Sequence, residues 1–349
     1  MQESIQSSQK PRHSGIESLR LVSMFFILAL HVNYYAFGAP TSTDFQINPL
    51  GSFLRILFES ITIVGVNAFV LISGWFGIRP KARSVLSLLF QCGFFCCVLY
   101  TAGWLAGLDF SRRDALKNLF FLGKLNWFIK SYLLLYILAP VLEGFVANSD
   151  KRTFGIVVAF FFLFQSLYGW LYPVAKFFDG GYSTISFVGL YLLARFVRRF
   201  QPRFATRPAG ADLSVYLALT ATIAGLGVLA AFGKTPPRID VYAYCSPLVV
   251  ASSLFLFLFF AKLQFSSIIV NEASRSSYAI YLFHSHPCVC HPLLIPAAAS
   301  VLDREPEYYA LLLPLLLFAF AISAVLLDRV RLLLWNTIFP MFMSPQQLS

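Results

Sequence analysis

Between Leu21 and Leu30 the chain carries one polar side chain, Ser23, inside an apolar stretch that runs from Gly15 to Phe37. A stretch of that length is about what a helix needs to cross a ~30 Å hydrocarbon core. Similar runs recur along the chain, at roughly 17–37, 52–77, 84–107, 126–147, 153–173, 182–200, 213–232, 242–264, 274–300 and 308–335. The pattern predicts an all-α, polytopic membrane protein of about ten transmembrane helices. No linker is long enough for a second soluble domain, and no internal repeat is visible. The expected organisation is a polar arm at 1–14, a transmembrane domain at 15–336 and a C-terminal tail at 337–349. The first apolar run is long enough to stay in the membrane, so an uncleaved first span is expected.

Charge fits the same reading. Hydrophobic residues make up 58% of the chain and charged residues 12%, which excludes a water-facing globular surface. A net charge of +11 would suit nucleic acid, but the basic residues stand in short runs between apolar segments. There they orient helices, so membrane lipid is the expected surrounding and nucleic acid is set aside. Ten spans place both termini on one side. With that side cytoplasmic, the inside segments hold seventeen Lys and Arg against eight outside, although Arg112, Arg113 and Lys117 in the 108–125 loop run against the trend. The six cysteines lie in or beside apolar runs and read as small buried hydrophobes rather than a disulfide framework.

The ionisable residues inside spans are fewer and more informative. Arg20 and His31 are eleven residues apart. Eleven residues of helix turn about 1100°, three turns and ~20°, and rise ~16 Å, so both side chains lie on one face. His31 falls near the bilayer middle and Arg20 at its rim. In the second span Arg55 and Glu59 are four apart and can pair, with Asn67 and Ser73 deeper, where an amide bonds a neighbouring helix or a substrate. Arg79, Lys81 and Arg83 form a basic turn after it, and Arg195 to Arg207 a second basic patch that suits anionic lipid. Trp127, Tyr132 and Tyr136 in the fourth span read first as an interfacial belt. In the ninth span His284, Cys288 and His291 would share a helical face and resemble a soft metal site. Pro287 and Pro292 interrupt that regularity, so no metal is assigned. His284 remains a functional candidate as a histidine at membrane depth.

Four segments together resemble one family, the membrane-bound acyltransferase-3 family that O-acylates bacterial surface glycans. They are Ile16-Glu17-x-Leu19-Arg20 followed by His31, and Gly65-Val66-x-x-Phe69-x-x-x-Ser73-Gly74. The others are Trp127-Phe128-x-x-x-Tyr132-x-x-x-Tyr136-x-x-x-Pro140 and Ser277-Tyr278-x-Ile280-Tyr281-Leu282-x-His284. The third is similar to a segment of members found with exopolysaccharide genes. Glu143, where a neutral polar residue is expected, and the histidine- and cysteine-rich run at 284–291 depart from the pattern.

The resemblance implies a multi-pass protein of the bacterial inner membrane. It would move an acyl group, acetyl from acetyl-CoA, to a sugar hydroxyl of a cell-surface or lipid-linked glycan. The acyl-CoA donor is a substrate, and no permanently bound cofactor is implied. His31 is then the general base, since an imidazole is the side chain suited to taking a hydroxyl proton near neutral pH. A covalent acyl-histidine relay is the variant. Arg20 does not deprotonate and would bind donor phosphate, with Arg79, Lys81 and Arg83 holding further phosphates. Glu17, Asn67, Ser73, Trp127, Tyr132, Tyr136, Tyr281 and His284 complete the implied donor- and substrate-binding set. A polysaccharide exporter or secondary transporter would also need about ten helices, but would often show matched interrupted helices in its two halves. Only the ninth span is interrupted.

Overall fold

The computed structural model describes residues 13–79, 81–120, 122, 127–236, 238–302 and 306–338, which form helices and, among these residues, no strand. Residues 1–12 of the polar arm and 339–349 of the tail lie outside the described residues. The first helix, Ser14–His31, opens with His13 accepting the Ile16 N–H and with Glu17 in its first turn. Beyond His31 the chain turns through Asn33 into a short helix, Tyr34–Phe37, and leaves it at Gly38, whose φ of 71° suits a residue without Cβ.

Among the described residues seven helices are long and apolar enough to cross a membrane: Ser14–Phe37, Pro49–Phe76, Ala82–Leu105, Trp127–Asn148, Lys151–Leu171, Ala209–Ala231 and Leu311–Ile338. An eighth is formed if Ile268–His284 and Pro287–Leu302, bent by 72° at Ser285 and His286, count as one span. The expected count of ten is therefore larger than what length and composition support here. The difference lies in two helices, Thr184–Phe200 and Pro247–Lys262, at the sixth and eighth expected positions. Their 17 and 16 residues reach only ~24–26 Å at 1.5 Å each, short of a typical hydrocarbon core. The basic Arg112–Lys117 segment that ran against the charge trend is a short amphipathic helix, Arg112–Leu119, capped by Ser111.

The first helix is the axis of the bundle, packed against Pro49–Thr62, Gly65–Phe76, Pro247–Lys262 and Ser277–His284. Apolar side chains gain little from leaving lipid for one another, so such contacts depend on close approach of small residues. A Cβ at Gly65 would stand 2.8 Å from the Ser23 carbonyl, and one at Gly74 would stand 2.6 Å from the Tyr191 carbonyl. Two of the motif glycines thus let the Gly65–Phe76 helix lie against the first helix on one side and Thr184–Phe200 on the other.

Polar side chains fasten the bundle at the Arg20 end. Asp328, fully buried, accepts from Gln91 Nε2 at 2.9 Å and from Arg331 Nε and NH2 at 2.9 and 2.7 Å. Lys262 is paired with buried Asp212, and Arg195 NH2 donates to Glu143 at 2.7 Å. Glu143 also accepts from the Tyr191 hydroxyl at 2.5 Å, and that hydroxyl takes the Ile78 N–H at 3.0 Å. The one departure from the family pattern in the fourth span is therefore a helix-to-helix fastening that also pins the basic turn.

Candidate active site

The last turn of the first helix brings His31 against the last residue of Ser277–His284. Nδ1 of His31 and Nε2 of His284 are 2.8 Å apart. On its other side His284 Nδ1 is 2.5 Å from the carbonyl oxygen of Ile280, one turn back on its own helix. A carbonyl only accepts, so His284 Nδ1 carries the proton, and in the neutral ring Nε2 is then an acceptor. His31 Nδ1 must donate to it. The proton positions follow from this network of partners, and they leave Nε2 of His31 as the ring atom free to take a proton.

His284 is completely buried. His31 lines a cavity of about 830 Å³ together with Tyr35 and Tyr281, whose ring centroids lie 5.1 and 6.2 Å from its own. The cavity occupies the end of the bundle away from Arg20, between the second half of the first helix and the loops at 39–41 and 239–244. Trp127 and Tyr182 stand in its wall with rings 4.6 Å apart. Burial pushes the phenol of Tyr242 up to about 12 and that of Tyr244 well above its ordinary value, so both loop tyrosines keep their hydroxyl protons, and the Tyr242 hydroxyl bonds Ser60 Oγ at 3.2 Å.

Two carboxylates, Glu59 and Asp240, also line it. The expected direct pairing of Arg55 with Glu59 is replaced by a bridge through Asn33. Asn33 Nδ2 donates to Glu59 Oε2 at 2.9 Å, while its Oδ1 accepts from Arg55 Nε at 3.1 Å. Asn33 leaves the first helix just where its two groups reach both side chains, a contact that four-residue spacing within one helix does not reveal.

Arg20, ~16 Å back along the first helix, belongs to a different neighbourhood. Its Nε is 3.7 Å from Glu17 Oε2, its guanidinium stands 5.9 Å over the Phe76 ring, and about a third of it is exposed. It lies within electrostatic reach of the Tyr132 hydroxyl, which bonds Ser73 Oγ at 3.2 Å. Tyr132 and Tyr136 line a second, largely apolar slot of about 220 Å³ beside the basic turn. Tyr136 takes the Lys81 N–H at 2.8 Å and gives its own proton to the Arg79 carbonyl at 3.0 Å, while Arg79, Lys81 and Arg83 are exposed. Phe128 and Tyr278 stand in the walls of both the slot and the large cavity.

The remaining sequence candidates divide between these places. Trp127, Tyr281 and His31 share the large cavity, and His284 stands behind His31. Glu17 accepts from Ser274 Oγ at 2.7 Å, tying the first helix to the segment before Ser277. Asn67 donates to the Tyr244 carbonyl at 2.9 Å and so holds the cavity loop. The common face imagined for His284, Cys288 and His291 does not form, because the chain breaks at Ser285 and His286. Among the described residues no three His, Cys, Asp or Glu side chains come together as metal ligands. Sequence reasoning passed over Tyr34, which reaches the cavity from the short helix after the first, and Tyr242, Tyr244 and Asp240, which reach it from a loop without periodic signal.

A family model described as an acyltransferase domain, acyltransferase-3, matches residues 13–328. No curated protein and no solved structure matches the chain.

Proposed function

The chain belongs to the acyltransferase-3 family, and from that premise we propose that it is an O-acyltransferase of the bacterial inner membrane. The proposed reaction moves an acetyl group from acetyl-CoA to a sugar hydroxyl of a cell-surface or lipid-linked glycan. The observation that carries this reading is the relay from the Ile280 carbonyl through His284 to His31, which supplies a base to a cavity roomy enough for a sugar ring.

In the proposed step the acceptor hydroxyl gives its proton to Nε2 of His31 as its oxygen attacks the thioester carbonyl. The new C–O bond forms, the C–S bond breaks, and the thiolate leaving group recovers the proton from the imidazolium. His284 acts by orientation. Its Nε2 keeps accepting from His31 Nδ1 when His31 is charged, and a hydrogen bond to a charged group is stronger than the neutral one. The donor would approach from the Arg20 end, where Arg20 and the turn at Arg79, Lys81 and Arg83 suit coenzyme A phosphates. Its pantetheine arm would lie in the apolar slot beside Tyr132 and Tyr136, with the thioester reaching past Phe128 and Tyr278, which wall both spaces, to His31. In this reading Arg20 faces the cytoplasm, as the charge count over ten spans leads one to expect.

The test is mass spectrometry of surface glycans from cells carrying the gene, lacking it, or carrying His31→Ala at equal protein level. An acetyl mass increment present in the first and absent in the other two is expected, because a general base contributes about 10²–10⁴-fold. Full acetylation by the His31 variant would end the mechanism.

A further inference from the structure

The chain leaving the Ala82–Leu105 span folds back onto it. The Leu108 N–H bonds the Gly103 carbonyl at 2.9 Å, and Gly107 takes a φ of 73°, a turn that favours glycine. The helix that follows, Arg112–Leu119, has two unlike sides. At ~100° per residue, Ala115, Asn118 and Leu119 share one side, while Arg112, Arg113, Leu116, Lys117 and Phe120 share the other. The first side is packed: Ala115 and Leu119 rest on the cluster of Cys96, Tyr100 and Cys288, and Asn118 Nδ2 donates to the Tyr100 hydroxyl at 2.7 Å. The second is bare, with Leu116 57% and Phe120 66% exposed. The Tyr100 ring also lies 4.4 Å from that of His286, at the bend behind His284, so this helix sits at the His31 end of the bundle.

We propose that the bare side of this helix is an in-plane membrane anchor that binds anionic phospholipid headgroups at the bilayer surface on the His31 side. Depth is the first reason. Tyr100 and Cys96 stand ~8 and ~14 Å before the end of the span at Leu105, at 1.5 Å per residue. A helix seated on them lies no farther out than the span's own apolar end, where Trp104 and Leu105 are exposed. At that depth Leu116 and Phe120 meet acyl chains, and the cations flanking them reach outward to phosphates, as on an interfacial helix. Charge is the second reason. Of the two acidic residues between Leu105 and Trp127, Asp109 precedes the helix and Asp114 is paired with Lys117 at 3.5 Å. Arg112 and Arg113 have no carboxylate partner among the described residues, and they stand in the first turn, where the helix dipole opposes a cation. The anion that balances them comes from outside the chain, and a bilayer surface rich in phosphate lies within their reach.

The test uses the full chain in nanodiscs of mixed phosphatidylcholine and phosphatidylglycerol, with an NBD fluorophore attached at Leu116→Cys. A Cys97→Ala background keeps the label on that site, because Cys97 is exposed and the other cysteines are buried. Spin-labelled phosphatidylglycerol and spin-labelled phosphatidylcholine, each with its nitroxide high on the acyl chain, are added separately at one mole fraction. Each quenches the fluorophore in proportion to its local concentration, and iodide reports exposure to water. The anchor predicts quenching by both lipids and little by iodide. Phosphatidylglycerol should be enriched about fivefold at the fluorophore, the factor one basic residue near an anionic surface supplies. That preference should fall toward unity in the double variant Arg112→Gln and Arg113→Gln, and in molar salt, which screens charges beyond ~3 Å. Strong iodide quenching with weak lipid quenching overturns the proposal and leaves the face to a soluble partner. Equal quenching by the two lipids overturns it too, as does an enrichment that survives the double substitution.

Discussion

At the scale of single residues, the site depends on a partner that linear spacing does not advertise. That Arg20 and His31 share one helix was legible from their spacing, while the different neighbourhoods the fold gives them, Glu17 and Phe76 for one and the large cavity for the other, were not. His284 was legible only as a suspicious histidine, since its bond to His31 spans 253 positions and follows from how two helices pack. The positioning role proposed for His284 predicts a particular kinetic signature. His284→Ala should lower kcat by about 10–100-fold, the worth of one hydrogen bond to a charged group of ~1.5–3 kcal/mol, with KM for the acceptor little changed. His284→Gln, whose amide can still accept from His31 Nδ1, should recover part of the loss. An alanine variant with unchanged kcat, or one in which KM alone moves, would remove His284 from the mechanism.

At the scale of elements, apolar runs located the helices well, but run length overstated the crossings at two positions. Thr184–Phe200 and Pro247–Lys262 are short because they end in basic residues and begin at loops that bend inward to wall the cavity. The family-like Gly65 to Gly74 segment was legible as a motif, and its glycines serve close helix contact rather than chemistry. The buried Asp328 and Arg331 pair makes a sharper case. Its members are 0% and 3% exposed, and each satisfies the other. Asp328→Ala strands a guanidinium and should cost about 3–5 kcal/mol of stability, read as loss of folded protein in thermal-shift measurements in membranes. Asp328→Ala combined with Arg331→Leu should restore most of it. A double variant no more stable than the single one would show that the pair holds the helices by something other than mutual neutralisation.

At the scale of the whole molecule, composition alone established a multi-pass membrane protein, and the family match agrees. What composition could not give is the division of the interior into an apolar slot near the basic end and a larger aromatic cavity near His31, with Phe128 and Tyr278 in the walls of both. Those rings are 5.9 Å apart, and Phe128 also stacks on Tyr132 at 5.8 Å. A shared aromatic wall predicts electrical insulation between the two ends, because rings that part for an acyl arm under the proposed reaction leave no continuous file of water. Vesicles containing the protein and loaded with a pH-sensitive dye should therefore hold a proton gradient as well as empty ones, while Phe128→Gly should make them leak. If the glycine variant keeps the gradient as well as the parent, the seal lies elsewhere in the bundle.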